Sequence, residues 1–310
     1  MNKPNILAVG SLNMDLVLQT PKMPKAGENL IGSKYNYAHG GKGGNQAIAA
    51  AKLGADVTFV GCVGADDFGT ELVSSLKSNG ILTDYVVQNT LSSTGLAVIV
   101  VEADGQNRII VYPESNMTLT TGDIDKAFEQ DFDAMIIQLE IPENVIIHAC
   151  KKAQEKNIPF IIDAGPAQDF PIEKIPGAEI FSPNETETYA MCSVMVIDCE
   201  TAKMASQTLK QRCDAKYVVI KAGAKGSYVF DGETITHLPA MKVAAVDATA
   251  AGDAFTAGMT VEYLKHKKIN EAVAFANIVG AVTVTKLGAQ PSLPTYAEIE
   301  DVLRKGGMDE

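Results

Sequence analysis

Positive charge is scarce in this chain of 310 residues: 26 lysines and arginines stand against 38 aspartates and glutamates, a formal net charge of -12. No Lys/Arg block forms a stripe, so the basic footprint that nucleic acid or an anionic membrane surface requires is missing. Long hydrophobic runs are missing too. The greasiest segment, AVAFANIVGAVTVT, contains Asn277 and is too short to span a bilayer. The opening MNKPNILAVG passes from polar residues into a short apolar run, without the longer apolar stretch of a secretory signal. Cysteine supplies no framework either. Cys62, Cys150, Cys192, Cys199 and Cys213 are odd in number, scattered and without a CxxC pair, and they read as ordinary thiols in a reducing compartment. The expectation is a cytoplasmic protein with no nucleic-acid partner and no membrane partner. No internal repeat or low-complexity linker divides the chain.

What is present is a rhythm. Short β-branched runs at Ile6–Val9, Val57–Val60, Met135–Gln138, Phe160–Ile162, Ile180–Ser182 and Val218–Lys221 read as buried strands. Between them, Asn45–Leu53, Gly69–Asn79, Glu143–Lys156 and Thr201–Arg212 have helical spacing, and Gly54 and Gly80 follow two of these as helix-ending glycines. Such alternation predicts a three-layer α/β/α fold with a mostly parallel central sheet. Glu28–His39 has extended character, and Gly95–Tyr112 is two β-rich runs around Ala103-Asp104-Gly105, a hairpin signal. Neither carries a helix with it. Segments of about 14–40 and 93–114 are therefore expected to leave the main sheet as a small β-sheet lid on a single domain spanning 1–310.

Several polar or glycine-rich clusters follow the expected strands, on the edge where an open α/β sheet places its ligands. From Asp253 of VDATAAGDAFTAGM onward, Phe255, Met259 and Tyr263 recur every four residues, so a helix opens near Asp253. Its N-terminal N–H groups suit an anion, and Ala250-Ala251-Gly252 would let phosphoryl oxygens reach them. Asp253 in the first turn has the place of a general base, although a helix-capping acid has the same local signature. HGGKGGNQAIAAAKLG sets Gly41, Gly43 and Gly44 around Lys42, ahead of a helix. It is not a Walker loop, because glycine rather than Ser/Thr follows the lysine. In SLNMD, Asn13 and Asp15 share one side of an extended segment, as two binders of neighbouring hydroxyls or as an Asx turn. In SPNETE, Asn184 and Glu187 lie three apart, spaced to help hold a hydrated Mg²⁺ or to cap a helix. KAGAKGS is a loop that could cover a nucleotide or simply turn between strands. KLGAQPSLP is a rigid loop able to enclose a cation. Together the clusters suit phosphoryl transfer from a nucleotide to an alcohol.

These segments resemble the ribokinase-like (PfkB-type) sugar kinase family over essentially the whole chain. Both family signatures are present, GGKGGNQAIAAAKLGADVTFVGCVG and DATAAGDAF, with matching NMD (13–15), QLE (138–140), PNETE (183–187) and KLGAQPS (286–292). The resemblance implies phosphorylation of the 5-hydroxyl of D-ribose by MgATP. It makes Asp253 the base, and Ala250, Ala251 and Gly252 the anion hole. Asn13, Asp15, Gly41, Lys42, Gly43, Gly44, Asn45 and Glu140 become the sugar-binding set. Asn184, Lys221, Ala222, Gly223, Ala224, Lys225, Gly226, Gly252 and Asn277 fall in the ATP pocket. Glu187 belongs to the Mg²⁺ motif, and Asp247, Thr249, Thr283, Lys286, Gly288 and Ser292 to an activating K⁺ site. A homodimer clasped through the lids is implied as well. The chain departs from the family pattern at Ala248, where Thr or Ser is common, at Lys221, where threonine is common, and at Asp163, where asparagine is common. Kinases for 2-deoxyribose or a nucleoside such as adenosine are the in-class alternatives, the latter needing lid aromatics such as Tyr35, Tyr37 and Tyr112. A catalytically silent sugar-binding regulator is the alternative outside that class.

Overall fold

The computed structural model describes residues 3–104 and 106–305. Gly105, the glycine of the expected hairpin turn, lies outside the described residues. The chain opens with β1 (Asn5–Val9), β2 (Asn13–Thr20), β3 (Lys34–Gly40) and α1 (Lys42–Lys52). It continues through β4 (Asp56–Gly64), α2 (Asp67–Ser78), β5 (Leu82–Asn89), β6 (Gly95–Glu102), β7 (Asn107–Tyr112) and α3 (Thr121–Ala127). Next come β8 (Ala134–Gln138), α4 (Glu143–Glu155), β9 (Phe160–Asp163), β10 (Ile180–Ser182), α5 (Glu185–Cys192) and α6 (Cys199–Cys213). The last elements are β11 (Tyr217–Lys221), β12 (Ser227–Phe230), β13 (Ile235–Leu238), α7 (Ala251–His266), α8 (Ile269–Val284) and α9 (Tyr296–Arg304).

Nine strands form the main sheet in the order β13-β12-β11-β10-β9-β8-β1-β4-β5. It is parallel from β5 to β11, with β12 and β13 added antiparallel at one edge. Both faces are covered, and β1 shows how. Leu7 and Val9 pack into a core with α3, α4 and α6, whereas Ile6 and Ala8 pack on the other side with α1, α2 and α7. Alternate residues of one strand thus enter separate cores, which is why the expected strands are apolar throughout rather than alternating. Phe255, Met259 and Tyr263 of α7 do share one buried cluster, against Ile161 and Val219 of the sheet.

The second sheet has four strands in the order β3-β2-β6-β7. It arises from the two segments expected to leave the main sheet. Within Glu28–His39, however, the strand begins only at Lys34, and residues 28–33 are irregular. The β2–β6 pairing is parallel and ties residues 13–20 to residues 95–102, a long-range pairing that no local hairpin signal announces.

β1 has β4 on one side and β8 on the other. The chain winds outward from β1 through β4 and β5, and then returns to its far side at β8. This reversal opens a crevice beyond the carboxyl ends of β1 and β8, the usual ligand position in such sheets. No helix among the described residues is long and apolar enough to cross a membrane.

Candidate active site

The crevice is built from strand ends and two helix starts. The turn after β1 brings Ser11, whose hydroxyl donates to Glu140 Oε2, just past β8. Glycine makes this junction possible. A Cβ on Gly43 would lie 2.6 Å from the Gly10 carbonyl carbon, and Gly41 has φ 84° with a would-be Cβ 2.8 Å from the Ser11 oxygen. The start of α1 therefore rests directly on the β1–β2 turn.

Asp253 is the third residue of α7 and is buried. Asn45 Nδ2 donates to its Oδ2 at 2.8 Å, and Gln46 Nε2 donates to its Oδ1 at 3.1 Å. Burial is the main influence on this carboxyl and pushes its pKa up to about 6, with Lys42 pulling against it and Asp163 adding to it. The helix begins at Ala250 in the left-handed region, φ 61°, without a side-chain cap. An alanine there costs about 1 kcal/mol in backbone strain. The Ala251 N–H turns back to the Ala248 carbonyl at 3.2 Å. A Cβ on Gly252 would meet nothing within 4 Å, so the space over the first turn is open. The Asp253 carboxylate thus does not cap its own helix, and no side chain closes the first turn.

Lys42 opens α1. Burial works against its charge, yet the carboxylates of Asp253, Glu140, Asp163 and Glu187 together hold its pKa above the ordinary lysine value. Asp15 lies beside this group. Burial first, then the charges of Glu140 and Asp253, push its carboxyl up to about 7. Asn13 and Asp15 are both buried at the start of β2. Asn116 locks this segment: its amide accepts from the Leu12 N–H at 2.9 Å and donates to the Leu12 carbonyl and to Asn13 Oδ1. A cavity of about 380 Å³ opens beside Ser11, Asn13, Asn116 and Glu140.

On the other side of α7 lies a second cavity, of about 500 Å³. Of the residues expected in a nucleotide pocket, Lys221, Gly223, Ala224, Gly226, Gly252 and Asn277 line this cavity. Asn184, Ala222 and Lys225 are not among its lining residues; Lys225 Nζ lies 3.5 Å from Glu185. Asn277 spends its amide internally, accepting from the Ser227 hydroxyl and donating to the Leu238 carbonyl. Much of the remaining wall is apolar, from Met241, Val243, Phe255 and Val284.

Asn184 and Glu187 form a capping box at the start of α5. Asn184 Oδ1 accepts from the Glu187 N–H at 2.8 Å, and Glu187 Oε2 accepts from the Asn184 N–H at 2.7 Å. The capping explanation for this pair is thus realised, and it leaves Glu187 Oε1 to the interior. That oxygen sits over Gly165 beside Lys42, where a Cβ would come within 2.7 Å of it. Burial raises the Glu187 carboxyl, against the pull of Lys221.

The two carboxyl-terminal loops also meet. Asp247 Oδ1 accepts from the Thr249 N–H and hydroxyl, and its Oδ2 accepts from the Gly288 N–H at 2.8 Å. Burial opposes ionisation of Asp247, but these donors outweigh it and hold its carboxyl below the usual range. The Thr283 hydroxyl turns into its own helix, to the Val279 carbonyl, and the Lys286 side chain leaves for Glu298. The Ser292 hydroxyl donates to the Ala289 carbonyl. Among the described residues, no group of three or more His, Cys, Asp or Glu side chains gathers to hold a metal ion.

Three contributors have no signal in the motifs. Asn116 sits in a short turn with no pattern around it, and Thr256 reads as part of the α7 core. Gln46 adjoins Asn45 but is one of several buried positions in α1; only the fold shows that its amide bridges two carboxylates.

A crevice at the sheet's switch point, with one cavity beside Ser11 and Glu140 and another lined by the open start of α7, defines a carbohydrate kinase rather than a binding scaffold once its relatives are set beside it. The model of the pfkB family carbohydrate kinases matches residues 3–296, and the chain belongs to that family. It is 37% identical to the ribokinase of Bacillus subtilis, over 96% of this chain and 99% of that one. It is 31% identical to the deoxyribokinase of Salmonella typhi, over 96% and 98% of the two chains. The structure of Arabidopsis thaliana ribokinase complexed with ribose and ATP superposes with a TM-score of 0.89 at 31% identity, covering 98% of this chain and 99% of that one.

Proposed function

We propose that this chain transfers the γ-phosphoryl group of MgATP to the 5-hydroxyl of D-ribose. The observation that carries this reading is Asp253, a buried carboxylate held by Asn45 and Gln46 in the first turn of an uncapped helix whose start, at Ala251 and Gly252, lines a mostly apolar cavity of about 500 Å³. In this reading the crevice and the smaller cavity beside Asn13 and Glu140 take the sugar, with Asn13, Asp15, Lys42, Asn45 and Glu140 receiving its hydroxyls. The apolar cavity takes the nucleotide, and Gly252 lies at its inner end.

Asp253 accepts the proton of the 5-hydroxyl as that oxygen attacks phosphorus. Asn45 and Gln46 fix the carboxylate so that it meets the hydroxyl in one orientation. The N–H groups of the Ala250-Ala251-Gly252 turn receive the charge developing on the transferred group. Glu187 Oε1, which the capping box leaves free of Asn184, would help hold the water shell of magnesium carried with the nucleotide, an ion that would offset phosphate charge. Backbone oxygens of the loops around Thr249 and 283–292, which the Asp247 carboxylate ties together, would hold a monovalent cation such as potassium, whose charge would help order the turn at Ala250-Ala251-Gly252.

The four-stranded sheet serves as a lid over the sugar. Its surface strand β7 exposes Ile109, Ile110, Val111 and Tyr112, and β3 exposes Tyr35 and Tyr37. We assign these faces to a lid-to-lid homodimer. Removing them by paired polar substitutions at Ile110 and Tyr37 should yield a monomer by sedimentation.

The test is nucleotide-diphosphate release with MgATP and D-ribose, 2-deoxyribose, fructose or adenosine, each in potassium and in sodium. Ribose-dependent release, fastest in potassium, is expected. The kinship to a deoxyribokinase makes 2-deoxyribose the acceptor to watch. Turnover confined to it or to adenosine would overturn the ribose assignment, and no turnover with any acceptor would overturn catalysis.

A further inference from the structure

The two unusual residues of the nucleotide side, Lys221 and Asp163, touch each other. Lys221 ends β11 and Asp163 ends β9, with β10 between them. The Lys221 ammonium lies 2.9 Å from Asp163 Oδ2, with the side chains 11% and 3% exposed. The same Oδ2 accepts from the Thr256 hydroxyl at 2.7 Å and from Gln46 Nε2 at 3.2 Å, while Oδ1 accepts from the Gly165 N–H.

Gln46 gives its other amide hydrogen to Asp253 Oδ1 at 3.1 Å, and its Oε1 accepts from Gln138 at 2.7 Å. The amide can point only one way, because the reverse orientation would set its oxygen against two carboxylates. We propose that Lys221 and Asp163 act as one positioning pair that holds Gln46, and through it Asp253, in working orientation. The proposal rests on the reading of Asp253 as the base.

The charges around the pair decide between this role and a simpler one. Lys221 lines the nucleotide cavity, so a plain phosphate contact is the obvious alternative. One of its three N–H donors is already committed to Asp163, however, and lifting the ammonium away would leave a buried carboxylate without its cation. An unpaired Asp163 would draw on the remaining donors near it. Those are Gln46, Thr256 and the Lys42 ammonium, which also faces Asp253, Glu140 and Glu187. Either shift disturbs Asp253. With asparagine at 163 and threonine at 221 no charge is stranded, and the residue at 163 still offers Gln46 an oxygen. The two positions therefore work as a unit.

The experiment is a double-mutant cycle of Lys221→Thr and Asp163→Asn, with Asp253→Asn and Lys221→Arg alongside. It is read as kcat and as KM for ribose and for ATP. Each single change is expected to lower kcat about tenfold or more, a coupling typical of residues in one hydrogen-bond network. KM for ATP should stay within about threefold. The double variant should regain kcat to within about threefold of the original protein, and Lys221→Arg should stay in that range. If Lys221→Thr instead raises KM for ATP at constant kcat, and Asp163→Asn does not reverse it, Lys221 is a phosphate ligand and the proposal is overturned. Should a single variant fail to fold, a folded double variant with kcat still down about a hundredfold would overturn it as well. The control separates the two readings. Additive losses beside an inactive Asp253→Asn sink the pair alone, whereas an active Asp253→Asn sinks the base.

Discussion

Asn45 donates its side-chain amide to Asp253 Oδ2 at 2.8 Å, joining two residues 208 positions apart in the chain. One stands four residues past Gly41 in α1 and the other three past Ala250 in α7. The contact brings the two glycine- and alanine-rich stretches of the sequence into one site. It also fixes the Asp253 carboxylate in direction and favours its charge, while burial works the other way and leaves it short of full ionisation at mildly acidic pH.

Replacing that carboxylate by an amide, Asp253→Asn, keeps the size and one of the acceptors but removes the proton acceptor. Turnover should fall by about 10²- to 10⁴-fold, the usual worth of a positioned base. Ribose affinity, measured by calorimetry without nucleotide, should change by less than about fivefold, since the crevice keeps its shape. Retained turnover would remove Asp253 from the mechanism.

The pH dependence of kcat/KM follows from the same group. A base must be deprotonated to act, and burial pushes the Asp253 pKa of the free protein up to about 6. The acid limb should therefore bend near pH 6, with kcat/KM falling about tenfold per unit below it. Lys42 opposes the upward shift. Lys42→Met should consequently move the limb to higher pH, and a limb moving lower would contradict the charge assignment.

Asn116 lies on the wall of the smaller cavity and anchors its neighbours there. Its amide makes three hydrogen bonds to Leu12 and Asn13, and truncation to alanine leaves those buried groups unpaired. Asn116→Ala should cost about 1–3 kcal/mol in urea unfolding. It should also raise KM for ribose more than it lowers kcat, because Asn13 loses its anchor while Asp253 keeps both of its donors.

Asp247 knits the loop before α7 to the loop after α8, through Thr249 and Gly288. Asp247→Ala should lower kcat about tenfold and flatten the response to potassium over sodium, since the loop bearing the anion hole loses its ties. An undiminished potassium response would show that the cation acts elsewhere.

How far these relationships could be read in advance depends on whether they are local. Ile180–Ser182 is a strand over the residues its apolar run predicts, and α4 and α6 end within a residue or two of their periodic patterns. The departure of the two β segments from the main sheet was legible because each reads as extended and carries no helix within it. The parallel β2–β6 pairing was not, because strands 82 residues apart in register announce nothing to each other in sequence. The edge strands β12 and β13 and the strand β5 lack long apolar runs and passed unread. At the site, the glycines and the acids stand out by type and spacing. Asn116, Gln46 and Thr256 do not, since a buried amide or hydroxyl earns its role from partners that only folding supplies. Lys221 and Asp163 are visible separately as departures from the family pattern, and only the structure joins them.

The central claim is a phosphoryl transfer to one particular oxygen, and the product reports it directly. Phosphorus and carbon magnetic resonance on a reaction of the protein with ¹³C-labelled D-ribose, MgATP and potassium would follow both partners at once. The account predicts a single new phosphomonoester, its phosphorus coupled to C5 of the sugar, growing in step with ADP. A phosphate on C1, or ADP accumulating without any sugar ester, would contradict it.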